Sequence, residues 1–286
     1  MNLDYVHPVV NTVLYEGYKL YSESIAATQR PRWTVGGLYP RPCVPAGTGA
    51  QRSCMETQCL VTGDQDTRLE VRVRFLHTVL REIGTLATPA RGWPDDAEAP
   101  EPEFRFSTGD EPATLLSRGD DEAVERDLKV VDCPLGELLG LTRYHTFSFP
   151  AWRSVEPLRG EDGKPVGAIV RRQKPIQGRA SVHLQAFPNQ VFLVTVRVEN
   201  LTSVTREIST NREEAARQAF ASTHTVLEVL GGEFVSLMAP PEALVSYTML
   251  CENRGTFPVL VGPEGHNRTV LSSPVILYDH PTLGLE

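Results

Sequence analysis

Apolar and polar positions alternate most cleanly in LEVRVRFLH, residues 69–77. Leu69, Val71, Val73 and Phe75 fall on one face; Glu70, Arg72 and Arg74 fall on the other. That two-residue period predicts a half-buried strand, with His77 continuing its apolar face. SVHLQAF and QVFLVTVRVEN, joined through Pro188 and Asn189, predict a β-hairpin over 181–200. Phe192, Val194, Val196 and Val198 share one of its faces. Shorter strands are expected near 243–250, 257–261 and 269–278.

TNREEAARQAFASTHTVLEVLGG has a different rhythm. Ala216, Phe220, Thr223, Leu227 and Leu230 recur at three- and four-residue steps, the stripe of an amphipathic helix. Thr210 and Glu213 match a capping box, and Glu213 and Glu214 suit the positive end of the helix dipole. Gly231 and Gly232 supply a left-handed stop. The expectation is an α+β fold, mainly antiparallel β-sheet and sandwich-like, with one strong helix near 211–230. Alternating strand and helix units are missing from the pattern, which argues against a Rossmann or barrel fold.

The 286 residues, 41% of them apolar, suffice for one large domain or two small ones. Residues 1–90 hold an aromatic and basic region and the first strands. Residues 91–126 read as an acidic, Pro-rich loop, and 127–286 as a β-rich body with the helix, continuous with 1–90 in a one-domain reading. Charge sharpens this division. Positions 95–125 carry eleven acids and two bases, so the rest of a chain of net charge −8 is close to neutral. That balance argues against bulk nucleic-acid affinity. The sequence has no apolar run long enough to span a bilayer and no basic, apolar leader at its start, so the expected location is the cytoplasm. The five cysteines are expected as thiols there.

Familiar catalytic signatures are missing: no P-loop, no G-x-S-x-G elbow, no H-E-x-x-H. Gly47-Thr48-Gly49 lacks the third glycine of a dinucleotide site. Cys54 and Cys59 stand five apart, which puts them on opposite faces of a strand. Four further candidate metal-type residues come from the C-terminal third. His224 sits on the apolar stripe, either as a core histidine bonded to a carbonyl or as a ligand. Cys251 follows, and Asp279 and His280 end the last expected strand in LSSPVILYDHP, either as a polar rim or as a site. As residue types, His224, Cys251, Asp279 and His280 would suit Fe, Ni or Zn. At the other end, Arg30, Arg32 and Arg41 surround Trp33 and Tyr39, the residue types that anchor protein interfaces.

Seven blocks in order, LYEGYKLY, RWTVGGLYP, METQCLV, STHTVLEVLGGEFVSL, PPEA, CENRGTFPVLVG and LSSPVILYDHP, resemble a bacterial family, often actinobacterial, encoded beside nickel-iron hydrogenase structural and maturation genes. The likeness runs from Leu14 to Pro281. It implies an accessory role in assembly, maturation or docking, with a hydrogenase subunit or maturation factor as partner. His224 falls in the STH block, Cys251 and Asn253 in the C-x-N block, and Asp279 and His280 in the YDHP block. Members of the family continue past YDHP into an acidic, helix-forming tail, where this sequence reads PTLGLE. The first expectation is therefore a non-catalytic accessory protein without a membrane span. The alternative is a metal-binding enzyme or metal carrier using the His/Asp/Cys set.

Overall fold

The computed structural model describes residues 8–12, 36–45, 51–86, 104–106, 122–160, 163 and 165–281. Residues 8–12 are helical (α1). The strands are β1 (Cys54–Thr62), β2 (Arg68–Leu86), β3 (Phe104–Phe106), β4 (Glu122–Pro134), β5 (Thr142–Phe149), β6 (Trp152–Arg159), β7 (Pro165–Gln173), β8 (Ile176–Phe187) and β9 (Val191–Asn200). Two short helices, α2 (Arg206–Thr210) and α3 (Arg212–Ala216), precede β10 (Ala221–Leu230) and β11 (Glu233–Phe234). Helix α4 (Val245–Thr248), β12 (Phe257–Leu260) and β13 (Thr269–Ser273) complete the order. The fold is α+β and dominated by antiparallel sheet.

Two sheets face each other. One has the strand order β11-β1-β9-β8-β5; the other runs β12-β13-β10-β2-β7-β6, with β3 and β4 also on β2. The 19-residue β2 is the spine of the larger sheet. Its first half lies between β10 and β4, and its second half between β7 and β3. The core between the layers draws Val61, Val194 and Val196 from one sheet and Leu69, Val71, Leu227 and Val229 from the other. At one end it becomes aromatic: Phe220 stacks on Phe75 at 4.7 Å between ring centroids, and Phe147 packs against both. Gly178 makes room for this, since a Cβ there would collide with Phe147 and Phe220.

The alternation expected for 69–77 is present: Leu69, Val71, Val73, Phe75 and His77 are all fully buried. The expected hairpin is β8–β9, turning through Asn189 and Gln190 at φ of 61° and 58°. The long helix is not formed. Only Arg212–Ala216 is helical, capped by Asn211, whose side chain accepts from the amides of Glu213 and Glu214. The Thr210 hydroxyl instead donates to the Glu207 carbonyl. Residues 221–230 form β10, buried on both faces along its whole length except Leu230. A strand covered on both sides needs no polar face, so its sequence loses the two-residue period that marks half-buried strands.

Three smaller corrections follow. Residues 242–248 are helical turns rather than strand. The last strand stops at Ser273, just before Pro274, rather than running to 278. The stretch expected as an acidic loop over 91–126 contains β3 and the start of β4. Two of its acids face arginines there: Glu122 meets Arg171 at 2.8 Å, and Glu125 meets Arg74.

Candidate functional site

The structure does not bring His224, Cys251, Asp279 and His280 together. His224 pairs with Arg74 across the β10–β2 ladder, on the outer face of the larger sheet. Its Nδ1–H donates to the Ser222 carbonyl at 3.0 Å, which leaves Nε2 as a buried lone pair without a hydrogen-bond partner. Burial holds its pKa down to about 4, so the ring is neutral near pH 7. Cys251 packs with Leu60, Val191, Leu193 and Val235 on the outer face of the other sheet, so both layers lie between it and His224. Burial pushes its thiol up to about 11, which disfavours the thiolate that a metal or a nucleophilic step needs.

Asp279 and His280 form a clip. Leu260 of β12 pairs with Val270, so its amide and carbonyl are the outward-pointing ones of an edge strand. The Leu260 amide donates to Asp279 Oδ1 at 2.8 Å, and the His280 amide donates to the Leu260 carbonyl at 2.7 Å. Asp279 Oδ2 also receives the Ser236 hydroxyl at 2.5 Å, while Ser236 Oγ caps the amides of Met238 and Ala239. The His280 ring donates through Nδ1 to the Gly262 carbonyl at 3.2 Å, and the residue takes a left-handed φ of 54°. Every polar atom of this pair named here is used in holding residues 279–280 to Leu260, Gly262 and Ser236. The register places Leu260, Val270 and Leu227 level. His224 is three residues further along β10 and three strand spacings away, more than about 10 Å from Asp279. That distance is far outside a shared coordination sphere near 2 Å. Among the described residues, no three His, Cys, Asp or Glu side chains gather in a way that could hold a metal ion.

Of the residues expected at a partner surface, Arg30, Arg32 and Trp33 lie outside the described residues. Tyr39 is core: it is 3% exposed and packs with Cys43, Ala215 and Ala219. Burial raises its phenol pKa. Arg41 is exposed beside it.

A different exposed set stands out around the clip. Met249 is 80% exposed, Tyr278 78% and Ile276 70%, with Met238, Leu250 and Val245 also open to solvent. These six come from two segments, 236–250 and 275–281, which Ser236 and Asp279 join at one point; Leu244, Tyr247 and Cys251 pack on the outer face of the smaller sheet, and Val275 and Leu277 on that of the larger. Exposed large apolar side chains mark interaction surfaces, and flexible methionines adapt to a partner's shape. Sequence reasoning missed them because 243–250 and 269–278 were each read as a strand, which would have buried half of each. Pro240-Pro241 and Pro274, which stop both readings, were the available signal.

No protein-family model, curated protein or solved structure matches this chain. Among the described residues, no helix is long and apolar enough to cross a membrane.

Proposed function

We propose that this protein is a non-catalytic accessory protein that works by protein–protein contact, with a nickel-iron hydrogenase subunit or maturation factor as partner. The observation that carries the contact reading is the exposed apolar set Met238, Val245, Met249, Leu250, Ile276 and Tyr278 on two segments joined at Ser236–Asp279. The clip at Asp279 and His280 fixes the segment that carries Ile276 and Tyr278, which lowers the ordering cost of docking there. The choice of partner rests on the family resemblance of the sequence blocks.

The test is a titration of the purified chain against purified hydrogenase large and small subunits and their maturation factors, followed by calorimetry. Binding in the micromolar range is expected. A Met249→Asp, Tyr278→Asp double variant should weaken it by about a hundredfold, the loss of two interface anchors. No binding to any of these proteins at micromolar concentration ends the hydrogenase reading. Binding that the double variant leaves intact ends the assignment of this surface.

A further inference from the structure

A cleft of about 420 Å³ opens where residues 36–38 meet the 253–257 loop and Pro274. Its walls are fixed in place. Gly36, at φ 61°, lies on the Pro274 ring, and Gly255, at φ 74°, lies on the Arg52 stem; a Cβ at either position would collide. Leu38 exchanges both backbone hydrogen bonds with Phe220 at 3.0 Å. The loop is tied to β1 four times. Asn253 accepts from the Gln58 amide at 2.8 Å and donates to its carbonyl at 3.1 Å. Arg254 and Glu56 exchange backbone bonds of 2.9 and 3.0 Å.

Arg52 and Arg254 line this cleft, and among the described residues that line it none carries a carboxylate. Arg254 donates to Glu252 at 2.7 Å, outside the lining, which leaves a local excess of positive charge on a chain of net −8. The buried floor adds hydroxyl groups. The Thr57 hydroxyl donates to Ser272 Oγ at 2.8 Å, and Ser272 Oγ lies 2.7 Å from Thr256 Oγ1, all three at most 1% exposed. Each hydroxyl has one hydrogen. Ser272 and Thr256 share one hydrogen bond, and either hydroxyl can donate it. When the chain runs Thr57 to Ser272 to Thr256, the Thr256 hydrogen is left for a ligand in the cleft that Thr256 lines. Thr225 extends the same chain at 3.5 Å from Thr57. Beside these donors, Leu38, Pro274 and the half-exposed ring of Phe257 offer an apolar wall.

We propose that this cleft binds a small organic carboxylate, its carboxylate held by Arg52, Arg254 and the Thr256 hydroxyl and its apolar body laid against Phe257 and Pro274. Guanidinium and hydroxyl donors match a carboxylate, and the volume falls within the range of small-molecule sites. The proposal is independent of the docking surface, which uses none of these residues.

The experiment is calorimetry on the full chain with benzoate and, separately, inorganic phosphate, each up to about 10 mM. Benzoate is expected to bind and phosphate to bind more weakly. Arg52→Met should weaken benzoate by about tenfold, the equivalent of one charge-assisted hydrogen bond. Thr256→Val should do the same, while Thr256→Ser, which keeps the hydroxyl, should retain binding. Circular dichroism checks that each variant is folded; Arg52 is exposed, so its replacement decides the matter should Thr256→Val fail to fold. No benzoate binding, phosphate binding as tightly as benzoate, or benzoate binding unchanged in Arg52→Met would each overturn the proposal.

Discussion

The two faces of β2 solve the same problem with different chemistry. The inner face, Leu69, Val71, Val73, Phe75 and His77, is sealed between the sheets. The outer face, Glu70, Arg72 and Arg74, is nearly as covered, with Glu70 8% and Arg74 5% exposed, yet it is built from charges. There Arg72 meets Asp127 at 2.9 Å and Glu70 at 3.3 Å, and Lys129 joins Glu70 to Asp132. Arg74 meets Glu125 and Asp127 and donates to Asn11 of α1 at 3.1 Å. Apolar contact is non-directional and insensitive to salt. A covered ionic lattice holds only while each charge keeps its partner. The inner face therefore fixes that the sheets stack, and the outer face fixes which segment lies over it.

The largest expected effect lies inside. Phe220→Ala empties the ring stacked on Phe75 and should lower unfolding stability by about 4 kcal/mol in a urea titration, equally at low and high salt. A loss under about 1 kcal/mol would mean that the aromatic end collapses freely and the inner face is not close-packed.

Next comes acid, because each face carries one buried histidine. His77 donates to the Lys174 carbonyl at 3.0 Å, and its pKa is held near about 4 by burial and then by Arg126. His224, on the outer face, is held near about 4 by burial, with Arg74 acting in the same direction. Both folded values lie below the unfolded value near 6.5, so the unfolded chain binds more protons between them. Stability is fully present above pH 6.5 and falls as pH drops through 4, by at most about 3 kcal/mol per histidine. Thermal midpoints from pH 7 to 4 should show that slope, and a His77→Asn, His224→Asn double variant should flatten it. An unchanged slope would shift the acid sensitivity to the carboxylates of the outer lattice.

The smallest effect separates the faces directly. Arg74→Met should cost about 2 kcal/mol at low salt by leaving Glu125 and Asp127 short of a partner. The difference from the wild type should shrink in about 1 M salt, where the Debye length is near 3 Å. A salt-independent loss would mean that Arg74 acts through its packed stem, like the inner face.

These faces were not equally legible. The inner face of β2 and the β8–β9 hairpin could be read because alternation survives wherever one face is apolar and the other is not. The outer face reads as ordinary solvated charge, since a sequence does not say that α1 will cover it. STHTVLEVL was misread as helix for a related reason. Its threonines and valines fill both faces of a central strand, and the spacing of Phe220, Thr223 and Leu227 then fits a helical stripe by coincidence. The real signal was β-branching at Thr223, Thr225, Val226 and Val229, which favours sheet. Asn211 and the glutamates after it did announce a helix start, but one of five residues. The metal-type residues were legible by kind and not by place. His224 and Cys251 stand on opposite outer faces, and only strand order reveals that.

The clip at Asp279 and His280 also bears on how the molecule behaves in company. Without it, β12 would end the larger sheet as a bare edge, FPVLV, apolar and ready to pair with another chain. Pro258 has no outward amide to offer, and the two outward groups of Leu260 are already occupied by Asp279 and His280. The Asp279–His280 clip thus leaves this edge of the larger sheet with fewer open backbone groups for a strand of another molecule to pair with.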